Sequence, residues 1–184
     1  AGKESPDTGE VIAGHGLKLG YFAQEHDLLD MDRTILENMA SAAQDLNETE
    51  MRKILGSFLF TGDDVDKPVR VLSGGEKTRL ALATLVASSA NVLLLDEPFT
   101  GLDAPNTESL LELFEELSHR GTSIIMSTHN LSEAAHSCHR LILFNGTVVA
   151  DDSASRLLRQ TDPWTRTFGV RAGSPLLSAI GVSA

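Results

Sequence analysis

The chain alternates between two hydrophobic rhythms. Apolar residues recur at three- and four-residue spacing over Glu48 to Phe60, where Met51, Ile54, Leu55 and Phe58 share one face, and this predicts a helix. A shorter helix is expected from Thr34 to Met39, a third from Gly75 to about Ser88, and a fourth opened by Pro105, with Leu110, Leu113, Phe114 and Leu117 on one side and Gly121 ending it. Between the helices stand short apolar runs of strand length, VLLLD at 92–96 and TSIIMST at 122–128, both expected to be buried strands. Near the N-terminus, Val11 with Ile12, and Leu17, Leu19 and Tyr21, predict two further strands separated by a reversal at Gly14 to Gly16. The acidic turn TGDDVDKP interrupts helical structure, because Pro68 disfavours helix at Lys67. After a helix from Leu131, the runs LILF and TVVA flank Asn145-Gly146, a hairpin signal, and a helix follows near Ala154 to Gln160. Residues 161–184 show no clear period and are expected to form a loosely packed tail. Strands alternating with helices imply an α/β fold with a mostly parallel sheet.

Composition narrows the class. At 184 residues, 41% hydrophobic and 22% charged, the chain has the size and balance of one soluble domain with a short appendage. Its apolar runs are too short to span a bilayer, and the polar start AGKESPDTGE has no leader-like apolar segment, so a cytoplasmic location is expected. The single cysteine, Cys138, suits a reducing compartment. A formal charge of −11 works against direct DNA binding, which draws its affinity from Lys and Arg on phosphates. Arg156, Arg159, Arg166 and Arg171 read as a solvated face.

Two places carry candidate chemistry. In LSGGE, residues 72–76, Ser73 and Glu76 fit a capping box, while the bare N–H groups of Gly74 and Gly75 at a helix mouth could also receive an anion. In VLLLDEP, a buried strand ends in consecutive carboxylates at the edge where α/β sheets bind ligands. Asp96 could hold Mg2+ through water and Glu97 could polarise an attacking water, although a strand end reaching solvent would look the same. His129 ends the next apolar strand and would share that edge, and Gln24 ends LGYFAQ with an amide oxygen suited to a metal or a water. His136, Cys138 and His139 do not make a zinc site on this spacing, since a helix does not turn them to one point.

These residues, in this order, resemble the ATP-binding cassette (ABC) ATPase family over roughly residues 1–160. LSGGE resembles its signature, Gln24 its Q-loop glutamine, VLLLDEP its Walker B strand with Glu97 as catalytic glutamate, GLD at 101–103 its D-loop with Asp103 as the aspartate, and His129 its switch histidine. The resemblance implies a P-loop NTPase-like cassette with a helical subdomain at about 31–75, followed by a C-terminal tail at 161–184. It implies ATP and Mg2+ as cofactors, and a second cassette as partner, with the signature of one covering the γ-phosphate held by the other. Ser73, Gly74, Gly75 and Glu76 would then face a partner's nucleotide. The family's phosphate-binding string G-x-x-x-x-G-K-[ST] does not occur in these 184 residues; AGK at 1–3 is followed by Glu4. The chain thus looks like an N-terminally truncated cassette, expected to bind ATP weakly and to hydrolyse it negligibly alone.

Its two halves resemble different branches. GYFAQEHDLLD, the helical insert and LSGGEKTRLALATL resemble the ABC-F branch, which acts on ribosomes; FTGLDAPN and STHNLSEAAHSCHRLILFNGTVVADD resemble the ATP-binding subunit of a metal-ion importer, held by a permease at the inner face of the cell membrane. A cassette coupling ATP hydrolysis to transport, an ABC-F translation factor, and a non-catalytic cassette that lends its signature to a partner are the three functions this implies.

Overall fold

A computed structural model describes residues 8–22 and 29–182 of the chain. Contacts divide the molecule into two compact units, residues 1–127 and 128–184, treated separately below.

The first unit is built on a parallel sheet of β1 (Leu19–Phe22), β2 (Val92–Asp96) and β3 (Ser123–Ser127), in that order. Leu19 is opposite Val92 and Phe22 opposite Leu95, while Val92 to Asp96 pair in step with Ser123 to Ser127. Asn91 fixes the register: its Oδ1 accepts from the Lys18 N–H at 2.9 Å and its Nδ2 donates to the Gly16 carbonyl at 2.8 Å. Leu93 and Leu95 are buried on one face of β2, as the alternation of a strand requires.

Two expectations fail here. Val11 and Ile12 form no strand and are 87% and 78% exposed; a two-residue apolar step with no ladder to join has nothing to bury against. The run at 122–128 does form β3, but it is not buried on both sides: Ile124 and Met126 pack on the core while Ile125 is 58% exposed. Alternation puts Ile125 on the face opposite Ile124 and Met126, and at that position the face is open to solvent.

The helices follow from their caps. α1 (Ile35–Ala42), α2 (Glu48–Ser57) and α3 (Gly74–Ala87) each begin with a complete capping box, Thr34 with Glu37, Asn47 with Glu50, and Ser73 with Glu76. α1 and α2 pack as an α-helical insert between β1 and β2. A 3-10 turn at Gly62–Asp66 follows, after which the Val69 and Arg70 N–H groups return to the Arg33 and Met31 carbonyls at 2.9 and 3.0 Å. α3 is buried nearly all round, with Leu80, Ala81, Leu82, Ala83 and Leu85 inside, which marks it as the central helix of the unit rather than a surface one. α4 (Ala104–His119), capped by Asp103, connects β2 to β3 and buries Leu110, Phe114 and Leu117.

The second unit contains α5 (Leu131–Ser137), the hairpin of β4 (Arg140–Asn145) and β5 (Thr147–Ser153), α6 (Ala154–Leu157), α7 (Asp162–Phe168) and α8 (Pro175–Ala179). Residues 162–182 are not loosely packed. Trp164 is fully buried with its Nε1 donating to the Leu157 carbonyl at 2.8 Å, and Leu177, Ile180 and Val182 share a core with Leu141, Leu143 and Leu157. Periodicity fails to reveal these helices because they are five to seven residues long, too short to display a repeat.

Candidate functional site

The carboxyl ends of parallel strands lie at one edge, and in the first unit that edge carries Asp96, the last residue of β2, opposite Ser127, the last of β3. The Ser127 hydroxyl donates to Asp96 Oδ1, and the Glu97 N–H donates to the Ser127 carbonyl at 3.1 Å. These two bonds hold the acidic pair in place as the chain leaves the sheet.

Glu97 is one of three described non-glycine residues with a positive φ, here 49°. A β-carbon there crowds the following carbonyl, so the backbone stores roughly 1–2 kcal/mol at this position. The turn that follows is tight: the Thr100 N–H donates to the Glu97 carbonyl and the Leu102 N–H to the Phe99 carbonyl, both at 3.1 Å. It ends at Asp103, whose Oδ1 accepts from the Asn106 N–H at 3.0 Å and from Asn106 Nδ2 at 2.5 Å. Asp103 is therefore a helix cap as well as a candidate site residue.

The LSGGE segment arrives beside this loop. Ser73 caps α3, its hydroxyl oxygen accepting from the Glu76 N–H at 3.3 Å while Glu76 Oε2 accepts from the Ser73 N–H at 2.7 Å. That bond to the Ser73 backbone is the main reason the Glu76 carboxyl titrates below the usual glutamate value, with the Ser73 hydroxyl adding to it and partial burial opposing it. At Gly74 a β-carbon would meet no described residue within 4 Å. Gly75 is different. A β-carbon at 75 would stand 3.3 Å from the Gly101 carbonyl oxygen and 3.3 Å from Leu102 Cδ2, so the helix and the loop approach closely only because residue 75 has no side chain.

The structure thus brings Ser73, Gly74, Gly75 and Glu76 to one helix mouth, and Asp96, Glu97 and Asp103 to one loop, and places mouth and loop in contact. Gln24 lies outside the described residues. His129 belongs to the second unit, in an exposed turn pinned by its neighbours: the Asn130 N–H donates to Thr128 Oγ1 at 3.1 Å, Asn130 Nδ2 to Glu133 Oε1 at 2.8 Å, and Asn130 Oδ1 caps α5. Among the described residues no group of three His, Cys, Asp or Glu side chains is gathered to hold a metal. Cys138 is half-buried at the end of α5, and burial raises its thiol above the ordinary value.

Sequence reasoning assigns no role to Ser127, Asn106 or Arg79, and Gly101 stands out only within the GLD string. Arg79 was visible as a charge in the apolar sequence of α3; its Nη1 donates to Asn106 Oδ1, and its guanidinium lies 5.5 Å from the centre of the Phe60 ring. Nothing local distinguishes Ser127 from an ordinary strand-end residue or Asn106 from an ordinary residue in the first turn of a helix.

Comparison with known proteins follows the same motifs. Residues 19–135 match the family described as "AAA domain, putative AbiEii toxin, Type IV TA system". The chain is 43% identical over 122 residues, 66% of its length, to "Putative ATP-binding protein YdiF" of Bacillus subtilis, and 41% identical over 128 residues, 68% of its length, to "ABC transporter F family member 5" of Arabidopsis thaliana. It spans only 19% and 18% of those relatives. Its fold is similar to the dimeric post-hydrolysis state of the ATP-binding cassette MJ0796 bound to ADP and Pi, with TM-score 0.65 and 21% identity over 75% of this chain and 63% of that one. It is also similar to "An inward-facing conformation of a putative metal-chelate type ABC transporter", with TM-score 0.70 and 18% identity over 83% of this chain and 64% of that one. No described helix is long and apolar enough to cross a membrane. The chain belongs to the AAA domain family, and its fold is that of an ATP-binding cassette.

Proposed function

We propose that this chain is the signature-bearing part of an ABC-type ATPase cassette, and that its Ser73–Gly75 helix mouth closes on the phosphates of ATP held by a second cassette. The contact between Gly75 and Gly101 carries the reading, because it sets the helix N-terminus against the loop of Glu97 and Asp103. The helix mouth fits a phosphate in three respects. Gly74 carries no side chain to exclude a bulky anion, the N-terminal N–H groups and dipole favour its charge, and the Ser73 hydroxyl, whose oxygen already accepts from Glu76, keeps its own proton to donate.

Asp96 and Glu97 would serve Mg2+-ATP. With Asp96 Oδ1 engaged by Ser127, the remaining oxygen would meet the metal through water, as Mg2+ commonly binds through one or two carboxylates and the substrate phosphates. When bound, Mg2+ neutralises charge on the phosphates. Glu97 would orient the attacking water and take its proton.

The work driven by hydrolysis is a finer question. Coupling to transport through a permease is the role the C-terminal half implies. Similarity to F-family members supports the ABC-F alternative, a ribosome-associated cassette, and the third reading, a non-catalytic cassette, follows if Ser73–Gly75 alone matters. Co-sedimentation with ribosomes in the presence of non-hydrolysable ATP, set against co-purification with a permease, separates the first two.

The decisive assay mixes this chain with a P-loop-bearing cassette whose own signature serine is replaced by arginine. Mg-ATP turnover is expected to rise on adding the chain and not on adding Ser73→Arg. Absence of stimulation at saturating chain would overturn the proposal, as would calorimetry showing low-micromolar Mg-ATP binding and Glu97-dependent turnover by the chain alone.

A further inference from the structure

We propose that Arg79 is a positioning residue that, acting through Asn106, holds Asp103 and its loop in step with the helix mouth at Ser73–Gly75. The inference rests on the composite-site reading above for its functional consequence, but its structural content stands apart.

Arg79 lies one turn after Gly75 on the same face of α3. The two residues therefore form a stripe along one stretch of chain: Gly75 meets the Gly101 carbonyl and the Leu102 side chain, and Arg79 meets the side chain of Asn106. The Asn106 amide has a defined sense. Its oxygen accepts from the guanidinium and its nitrogen donates to the Asp103 carboxylate, so a cation on α3 is connected by one polar group to an anion on the loop. A third element fixes the other side of the cation, since the guanidinium sits by the ring of Phe60, which is buried in the segment after α2.

Stability alone does not account for this arrangement. Arg79 Nε is buried with no hydrogen-bond partner among the described residues, an unfavourable state that a packed Leu or Met would avoid. The side chain is retained at a position where an apolar residue would fold at least as well. What it provides instead is direction: Asp103 is held by an amide whose own orientation is set from α3, twenty-seven positions from Asn106 in sequence.

The test uses the full chain with Arg79→Met, Arg79→Lys, Asn106→Ala and Asn106→Asp, melting temperature confirming that each folds. Asn106→Asp separates positioning from packing, because its carboxylate keeps the contact with Arg79 but cannot donate to Asp103. Amide hydrogen exchange, read without nucleotide, is expected to quicken at Gly101, Leu102 and Asn106 in Arg79→Met and equally in Asn106→Asp. Lysine lacks the planar fork and is not expected to rescue. In the mixed-cassette assay, Arg79→Met and Asn106→Asp should each lower kcat about ten-fold with little change in KM for Mg-ATP, and the double variant should be no worse than either single. Unchanged exchange at 101–106 in Arg79→Met, full turnover in Asn106→Asp, or additive losses in the double variant would overturn the role. If the unaltered chain gives no turnover in the mixture, the composite-site reading fails, and the exchange rates alone decide whether Arg79 positions the loop.

Discussion

Glu97 is held in a backbone region that glycine prefers, at the end of a strand whose other residues are relaxed. Leu59 and Ser89 share the positive φ, but among the three Glu97 alone follows directly on a strand end that carries a second carboxylate. Compared with Glu97→Ala, which removes the same side chain but keeps the left-handed strain, Glu97→Gly is expected to be more stable by about 0.5–1 kcal/mol. Thermal unfolding of the two variants, measured side by side, checks the sign. Glu76 makes a second prediction at this scale. Its folded-state titration is lowered, chiefly by the bond from the Ser73 backbone, so its contribution to stability is full above the ordinary glutamate value of 4.5. That contribution is lost as pH falls through the lowered folded value. Glu37, also lowered by its cap bonds, acts in the same direction. Glu76→Gln should therefore flatten the acid limb of stability against pH below 4.5, as measured by urea unfolding. The capping serine itself can be tested: Ser73→Ala is expected to cost about 1 kcal/mol.

At the scale of elements, α3 carries the first unit. Leu80 and Leu82 are both fully buried, and truncating either to alanine is expected to cost about 2–5 kcal/mol, enough to unfold a marginal domain. Denaturant titration with an unchanged slope would confirm that the loss is one of packing. Gly75→Ala should act differently. Alanine favours helix, but its β-carbon would press on the Gly101 carbonyl at 3.3 Å, and a loop held by two backbone bonds has little room to yield. Stability should change little while mixed turnover falls. How far such elements were legible follows from what sets them. The helices of the first unit and β2 are written in long periods and caps, so Ser73 and Glu76, the apolar face of α4 and the carboxylates after VLLLD could be read directly. The boxes of Thr34 with Glu37 and Asn47 with Glu50 carried the same signal unnoticed. The positive φ of Glu97 could not be read, because backbone strain leaves no trace in residue type.

At the scale of the whole chain, the last twenty-odd residues gave the greatest surprise. A five-residue helix has no period, so α8 could be found only through what it buries, Leu177 against the hairpin core. Removing residues 162–184 is expected to strip the cover from Leu141, Leu143 and Leu157 and to unfold the second unit; circular dichroism should show loss of more helix than the removed residues contain. Trp164→Ala should cost about 3–5 kcal/mol for the same reason. β1 and β3 show the complementary limit. Apolar runs indicated strands, but only partners decide which faces close, and Ile125 shows one face left open.

The burial of Trp164 has a practical corollary. It is the sole tryptophan of the chain, and the sole tyrosine, Tyr21, stands on β1 in the other unit. Indole emission, excited beyond the phenol band, therefore follows Trp164 in residues 128–184, and the phenol band, resolved from the overlapping indole absorbance by its second derivative, follows Tyr21 in residues 1–127. The native chain carries a separate optical label in each unit, and whether the two traces coincide on heating would show, without any added dye, whether the units melt together or apart.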